Sequence, residues 1–140
     1  MSFEYLSEEA TADVAILVKG RNLDEAFEET AKAITNVMVD LSEISPVKEF
    51  KFKIKSEDLK SLLYDFIEEL ITIFEIKHLL FSEYNVKINK QEFSLICVAK
   101  GEKFNKKEHN PKSIVKAITY FGMEIIEKQK ETLIKFTLDI

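Results

Sequence analysis

Two aspartates stand out among the 25 acidic residues of this 140-residue chain because of what surrounds them. Asp13 lies in Ala12-Asp13-Val14-Ala15-Ile16, an apolar strand-like run in which a charge needs a partner, a metal ion or an open edge. Asp139 follows Ile134, Phe136 and Leu138 and is the penultimate residue. Its side chain and the terminal carboxylate of Ile140 therefore offer two hard oxygen donors on adjacent residues. Such donors suit Ca²⁺, Mg²⁺ or Mn²⁺. On these residues alone a solvated, frayed terminus ranks above a metal site, because chain ends are commonly mobile.

Other chemistry is poorly supplied. With three glycines there is no phosphate-binding loop, and no paired His/Cys spacing suggests zinc. His78 and His109 are isolated from one another and each reads as a surface or edge histidine. Cys97, the single cysteine, lies in Ser94-Leu95-Ile96-Cys97-Val98-Ala99 and reads as a small buried hydrophobe; it excludes an internal disulfide framework and suits a reducing compartment. A metal-dependent hydrolase built on Asp13, Glu9 and Asp139 around a water-activating ion is a rival reading, but it lacks an identifiable general base and substrate motif. The net charge of -5 argues against a general nucleic-acid binder, so any RNA contact is expected to be local or indirect. No apolar run approaches the roughly 18 residues that span a bilayer, and the N-terminus has no signal-like core; a soluble, cytosolic protein without membrane contact is expected.

The elements that must position these acids follow from periodicity. A short strand at Phe3–Leu6 is allowed, and Thr11–Val18 alternates as a strand that Gly20 breaks. Asn22, with Glu25 three residues on, resembles a cap for a helix carrying Leu23, Ala26, Phe27, Thr30, Ile34, Val37 and Met38 and ending near Asp40. Phe50, Phe52 and Ile54 alternate with Lys51, Lys53 and Lys55, a strand with one solvated face whose lysines need no ligand. Ser56 can cap a second helix, with Glu57 and Asp58 in its first turn, whose apolar stripe runs from Leu59 to Phe74. A hairpin turning at Asn89-Lys90 joins Tyr84–Ile88 to Glu92–Ala99, and Gly101 closes it. Residues 101–112 read as an exposed polar loop, followed by strands near Ile114–Ile126 and Thr132–Asp139. The order β-β-α-β-α-β-β-β-β, without repeats or linkers, points to one α+β domain over residues 1–140 with a mostly antiparallel sheet and two main amphipathic helices.

Across nearly the whole chain, in order, several stretches resemble the archease family. Thr11-Ala12-Asp13-Val14 matches the end of that family's Asp-His-Thr-Ala-Asp-Val motif. Gly20, Leu23, Glu25, Ala26 and Phe27 fit its first helix opening, and Val37-Met38-Val39-Asp40 fits that helix's end. Leu62-Leu63 with Glu68-Glu69-Leu70, then Gly101-Glu102, His109, Val115-Lys116-Ala117-Ile118-Thr119-Tyr120 and Leu138-Asp139-Ile140 follow at the expected spacing. The resemblance implies an archease-like fold and an accessory role, without catalysis of its own, for an RtcB-class RNA ligase in tRNA splicing. It would promote metal- and GTP-dependent guanylylation and repeated turnover. It also implies, as an alternative, a chaperone-like modulator of a tRNA methyltransferase. The divalent ion that the family is taken to hold, Ca²⁺ in the first place, would fall on Asp13, Asp139 and Ile140, with Glu9 and Lys116 as further site residues. The chain departs from the family pattern at Glu9-Ala10, Ile114 and Phe121. Glu9 can still donate oxygen, whereas Ala10, Ile114 and Phe121 cannot replace polar groups.

Overall fold

Val14, Ile16 and Val18 are buried on one face of a strand whose other face is open, as their alternation predicts. In the computed structural model, which describes residues 2–9 and 13–140 (backbone alone for 7–9), the chain runs β1 (Ser2–Glu9), β2 (Asp13–Gly20), α1 (Leu23–Met38), β3 (Lys48–Lys55), α2 (Leu59–Lys77), β4 (Leu79–Asn89), β5 (Ser94–Lys103), β6 (Ala117–Glu127) and β7 (Thr132–Asp139). The predicted order holds. Thr11 and Ala12, where the second strand was expected to begin, lie outside the described residues, as does Ala10.

The strands form two antiparallel sheets, a four-stranded one ordered β1-β2-β7-β6 and a three-stranded one ordered β3-β5-β4. The two helices join them through one apolar cluster. Phe27 of α1 packs on Phe66 of α2 at 5.6 Å between ring centroids, and Phe66 stacks on Phe52 of β3 at 6.1 Å. Ile16, Ile134, Phe136 and Leu138 complete this core from the four-stranded sheet, all fully buried. Cys97 is buried in β5 as expected, and desolvation pushes its thiol up to about 12.

Helix α1 opens where its cap predicts: the Asn22 side chain accepts from the Glu25 N–H at 2.9 Å. Helix α2 differs. Its cap is Asp58, which accepts from the Ser61 N–H at 2.7 Å, while Ser56 Oγ donates to Asp65 Oδ2 at 2.6 Å. The carboxylate two residues further on satisfies the helix end, so the helix starts at Leu59 without an acid in its first turn. Gly20 ends β2 as expected, whereas Gly101 does not break its strand. A Cβ on Gly20 would lie 2.5 Å from Ala26 N, and one on Gly101 would lie 1.8 Å from Leu80 O. Both glycines are places where another stretch of backbone passes too close for a side chain. Strand β5 accordingly runs on to Lys103, and the turn before it is Lys90–Phe93, with Phe93 at φ 51°.

The outer edge of β4 is sealed by α1. The Val86 N–H donates to Glu28 Oε2 at 2.8 Å and the Ile88 N–H donates to Asp24 Oδ1 at 3.0 Å. Four helical residues rise about 6 Å and two strand residues about 6.8 Å, so successive helix turns meet successive free strand N–H groups. Further along the helix, the Thr35 and Tyr84 hydroxyls lie 2.6 Å apart. Burial pushes the Glu28 carboxyl up, against the opposing Val86 N–H. Asp24 adds to the rise and Lys32 opposes it. A raised folded-state value favours the protonated form. Its contribution to stability is present below the ordinary value of 4.5 and is lost as pH rises through the raised one. In Glu28→Gln, which keeps an acceptor for Val86, that component of the slope should vanish when chemical denaturation is followed across this range; slopes identical to wild type would contradict it.

Candidate metal centre

The register of β2 against β7 sets Asp13 directly opposite Asp139 and Val14 opposite Leu138. Val14 and Leu138 are buried beneath the sheet, so the two aspartates project from its opposite, outward face. Strand β1 adds Glu9 opposite Asp13, and β6 adds Ala117 opposite Asp139. A row Glu9–Asp13–Asp139–Ala117 thus crosses the whole four-stranded sheet at one end. Asp13 is exposed and opens its strand; Asp139 and Ile140 are half-buried. The position of Asp13 within an apolar run therefore has a simple cause, since it occupies the outward face at a strand end.

The stretch from Gly101 to Lys112, expected to be an exposed loop, is pinned. His109 is fully buried rather than superficial. Its Nδ1 accepts from the Asn105 N–H at 2.9 Å, which leaves the proton on Nε2, 2.8 Å from Glu102 Oε2. The ring stacks on Phe104 at 5.8 Å. Glu102 Oε2 also accepts from the Ser45 N–H at 2.9 Å, and these bonds hold its carboxyl below the ordinary glutamate value. The donor atoms of Glu102, Glu108 and His109 lie within 4.8 Å of one another, but both histidine nitrogens are committed. The Glu102–His109 pair, with the Asn105 N–H, is a clamp for the loop. His78, by contrast, is exposed at the left-handed C-cap of α2, φ 57°, as a surface histidine.

From His109 the chain is tied to the end of α1. Asn110 binds the Glu43 carboxylate through its N–H at 2.8 Å and its side chain at 3.0 Å. Lys112 N–H donates to Met38 O at 2.8 Å, and Ser113 N–H donates to Val37 O at 3.2 Å. The path ends with Lys116 N–H donating to Asp139 O at 2.7 Å, which fixes an exposed lysine beside the acidic row. The lysines Lys103, Lys106 and Lys107 are exposed.

Clefts lie beside the row, two of them at its Asp13 and Ile140 end. One of about 360 Å³ is lined by Tyr5, Val14, Asn36, Lys112 and Ile140 among others. The second, about 200 Å³, lies on the outward face between Leu6, Asp13, Ala15, Phe121, Lys135 and Thr137. Gly122, at φ +71°, sits in the irregularity between Thr119 and Glu124, and beside it Phe121 is 83% exposed. Ile114 is exposed as well.

Directly opposite side chains in an antiparallel pair have Cβ atoms roughly 5 Å apart, and like charges there are destabilising. Among the described residues neither the Asp13 nor the Asp139 carboxylate has a hydrogen-bond or ion-pair partner. Hard oxygen donors, opposed like charges that form no ion pair among the described residues, and access from solvent together fit a hard divalent cation. The residues present are compatible with the group.

Comparison with known proteins gives a consistent answer over the full length. The model of the archease protein family matches residues 3–140. The archease of Sulfurisphaera tokodaii is 40% identical over 138 residues, covering 99% of this chain and 98% of its own. That of Pyrococcus abyssi is 43% identical over 119 residues, 84% of each chain. The solution structure of Methanobacterium thermoautotrophicum protein 1598 superposes with a TM-score of 0.84 at 34% identity, covering 99% of this chain and 98% of the other.

With a chelator present, Asp13→Asn or Asp139→Asn should raise stability, by about 0.2–1 kcal/mol, because each removes the like-charge opposition. Urea denaturation in EDTA reads this directly, and equal or lower stability in both variants would contradict the geometry.

Proposed function

The chain belongs to the archease family, and from that premise we propose that it acts in the cytoplasm as an accessory protein to an RtcB-class RNA ligase in tRNA splicing. It promotes metal- and GTP-dependent guanylylation and repeated turnover, and the bond-making chemistry stays with the ligase. The observation that supports this reading is the acidic row: two carboxylates directly opposite one another, neither in an ion pair among the described residues, at a solvent-facing strand end.

Asp13, Asp139 and the terminal carboxylate of Ile140 hold a divalent cation, Ca²⁺ in the first place, with Mg²⁺ and Mn²⁺ as alternatives. When bound, the ion supplies concentrated positive charge that hard oxygen ligands of a partner can share. The chain's own residues do the positioning. The β2–β7 register fixes the two aspartates relative to each other, and Glu9 stands next to Asp13 in the same row. Lys116, tied through its backbone to Asp139 O, presents an ammonium at the rim for phosphate or carboxylate groups of the partner. His109, a natural candidate for proton transfer, is spent on holding its loop. In this role the site provides fixed charge rather than a nucleophile or base.

The test is multiple-turnover RNA ligation by a cognate RtcB-class ligase at catalytic concentration, with GTP and metal supplied. Wild-type protein should stimulate turnover, and Asp13→Ala and Asp139→Ala should each lose stimulation on the order of tenfold or more while remaining folded. Full stimulation by both variants, or none by the wild type, would overturn the reading.

A further inference from the structure

On the other sheet, the three-stranded one, the solvent face carries an unbalanced cluster of lysines. The register places Lys51 of β3, Val98 of β5 and Asn85 of β4 in one row, and Lys53, Ile96 and Lys87 in the next. Lys55 extends the β3 column. All four lysines are exposed, and none makes an ion pair among the described residues. The acids paired with β5 on this face, Glu49 and Glu83, flank Lys100 in a separate row, beyond Lys51. Between the lysine columns lies an apolar floor of half-buried Val98 and exposed Ile96, the latter 40% exposed. The opposite face of the same strands carries Phe50, Phe52, Leu95, Cys97 and Val86 toward the helices, so the core does not use these lysines.

We propose that this face binds the backbone of single-stranded RNA through Lys51, Lys53, Lys55 and Lys87. Charge complementarity identifies the occupant. Along β3 the lysines recur about every 6.8 Å, and Lys87 stands about 9.5 Å away across two strand spacings. A flexible polyanion can lay phosphates along such columns and rest ribose or base surface on the Ile96–Val98 floor. Edge lysines also prevent strand-to-strand aggregation, which accounts for those on β3. It does not account for Lys87, because Glu28 and Asp24 of α1 already seal the edge of β4. A protein partner is the weaker match, since protein interfaces are depleted in lysine and centred on aromatic or arginine anchors, which this face lacks. Phosphate neutralisation needs only the ammonium groups. With no aromatic side chain for stacking, binding is independent of base sequence. The net charge of -5 does not oppose this, because the acidic row lies on the other sheet. The choice of RNA over another nucleic acid rests on the proposed function; the cationic face does not.

The experiment is fluorescence anisotropy of the full chain with a labelled single-stranded RNA of about 16 nucleotides, titrated over a salt series, with no ligase present. Wild type should bind with a slope of log K against log salt of about -2 to -3, near the limit of roughly 0.7 for each of four contacts. Lys51→Gln/Lys53→Gln/Lys87→Gln should lose at least tenfold in affinity at low salt and reduce the slope by about 2. Lys106→Gln/Lys107→Gln, which removes two charges from the loop, should change neither. Absence of salt-dependent binding by wild type, equal losses in the two variants, or polyglutamate of matched charge binding as tightly as RNA would each overturn the proposal. The last result would assign the face to an acidic protein surface. Because the assay contains no ligase, it gives the same answer whether or not ligation is stimulated.

Discussion

The antiparallel register between β2 and β7 is the constraint on which the candidate centre depends. Eight consecutive pairs, from Asp13↔Asp139 to Gly20↔Thr132, lock it. The lock is energetic as well as geometric. Slipping the pairing by one residue would turn either Val14, Ile16 and Val18 or Ile134, Phe136 and Leu138 to water and bring Asp13 or Asp139, respectively, into the core. Each such side chain contributes about 1.5–3 kcal/mol when fully buried. Burial of the inward residues is therefore what holds two mutually repelling carboxylates side by side on the outward face.

Helix α1 connects that sheet to the rest of the molecule. It packs Ala26, Phe27 and Ile34 into the shared core while its carboxylates Asp24 and Glu28 cap the free N–H groups of β4. Its C-terminal end receives the loop that runs from buried His109 to Lys116. One helix thus covers a sheet edge and anchors the segment that brings a lysine to the acidic row. The molecule thus carries an acidic row at one end of the four-stranded sheet and a cluster of lysines on the three-stranded one, although the chain as a whole is acidic.

The element order and antiparallel character were legible in the sequence because period-2 and period-3.6 patterns are local. What escaped it was set by other parts of the chain. Gly101 looked like a stop, yet it answers to the backbone of Leu80 and Phe81, and Gly20, which does end its strand, also answers to the backbone of α1 at Ala26. His109 sat in a polar stretch and read as exposed; its burial depends on Phe104, Glu102 and Asn105 folding around it. Ser56 was a reasonable cap until Asp58 outcompeted it two residues later. At the site, residue type and odd placement singled out Asp13 and Asp139, but only the register makes them opposite. The lysine face shows the same division. The alternation of Lys51, Lys53 and Lys55 was visible, while the contribution of Lys87 needed the strand order β3-β5-β4.

The central claim is that the paired aspartates form a cation site, and calorimetric titration of the metal-free protein with Ca²⁺, repeated with Mg²⁺ and Mn²⁺, tests it most directly. Saturable binding of one ion per chain, abolished in Asp13→Asn and in Asp139→Asn while His109→Asn retains it, is the predicted result. Failure of all three ions to give saturable binding, or binding of equal strength in the aspartate variants, would contradict it.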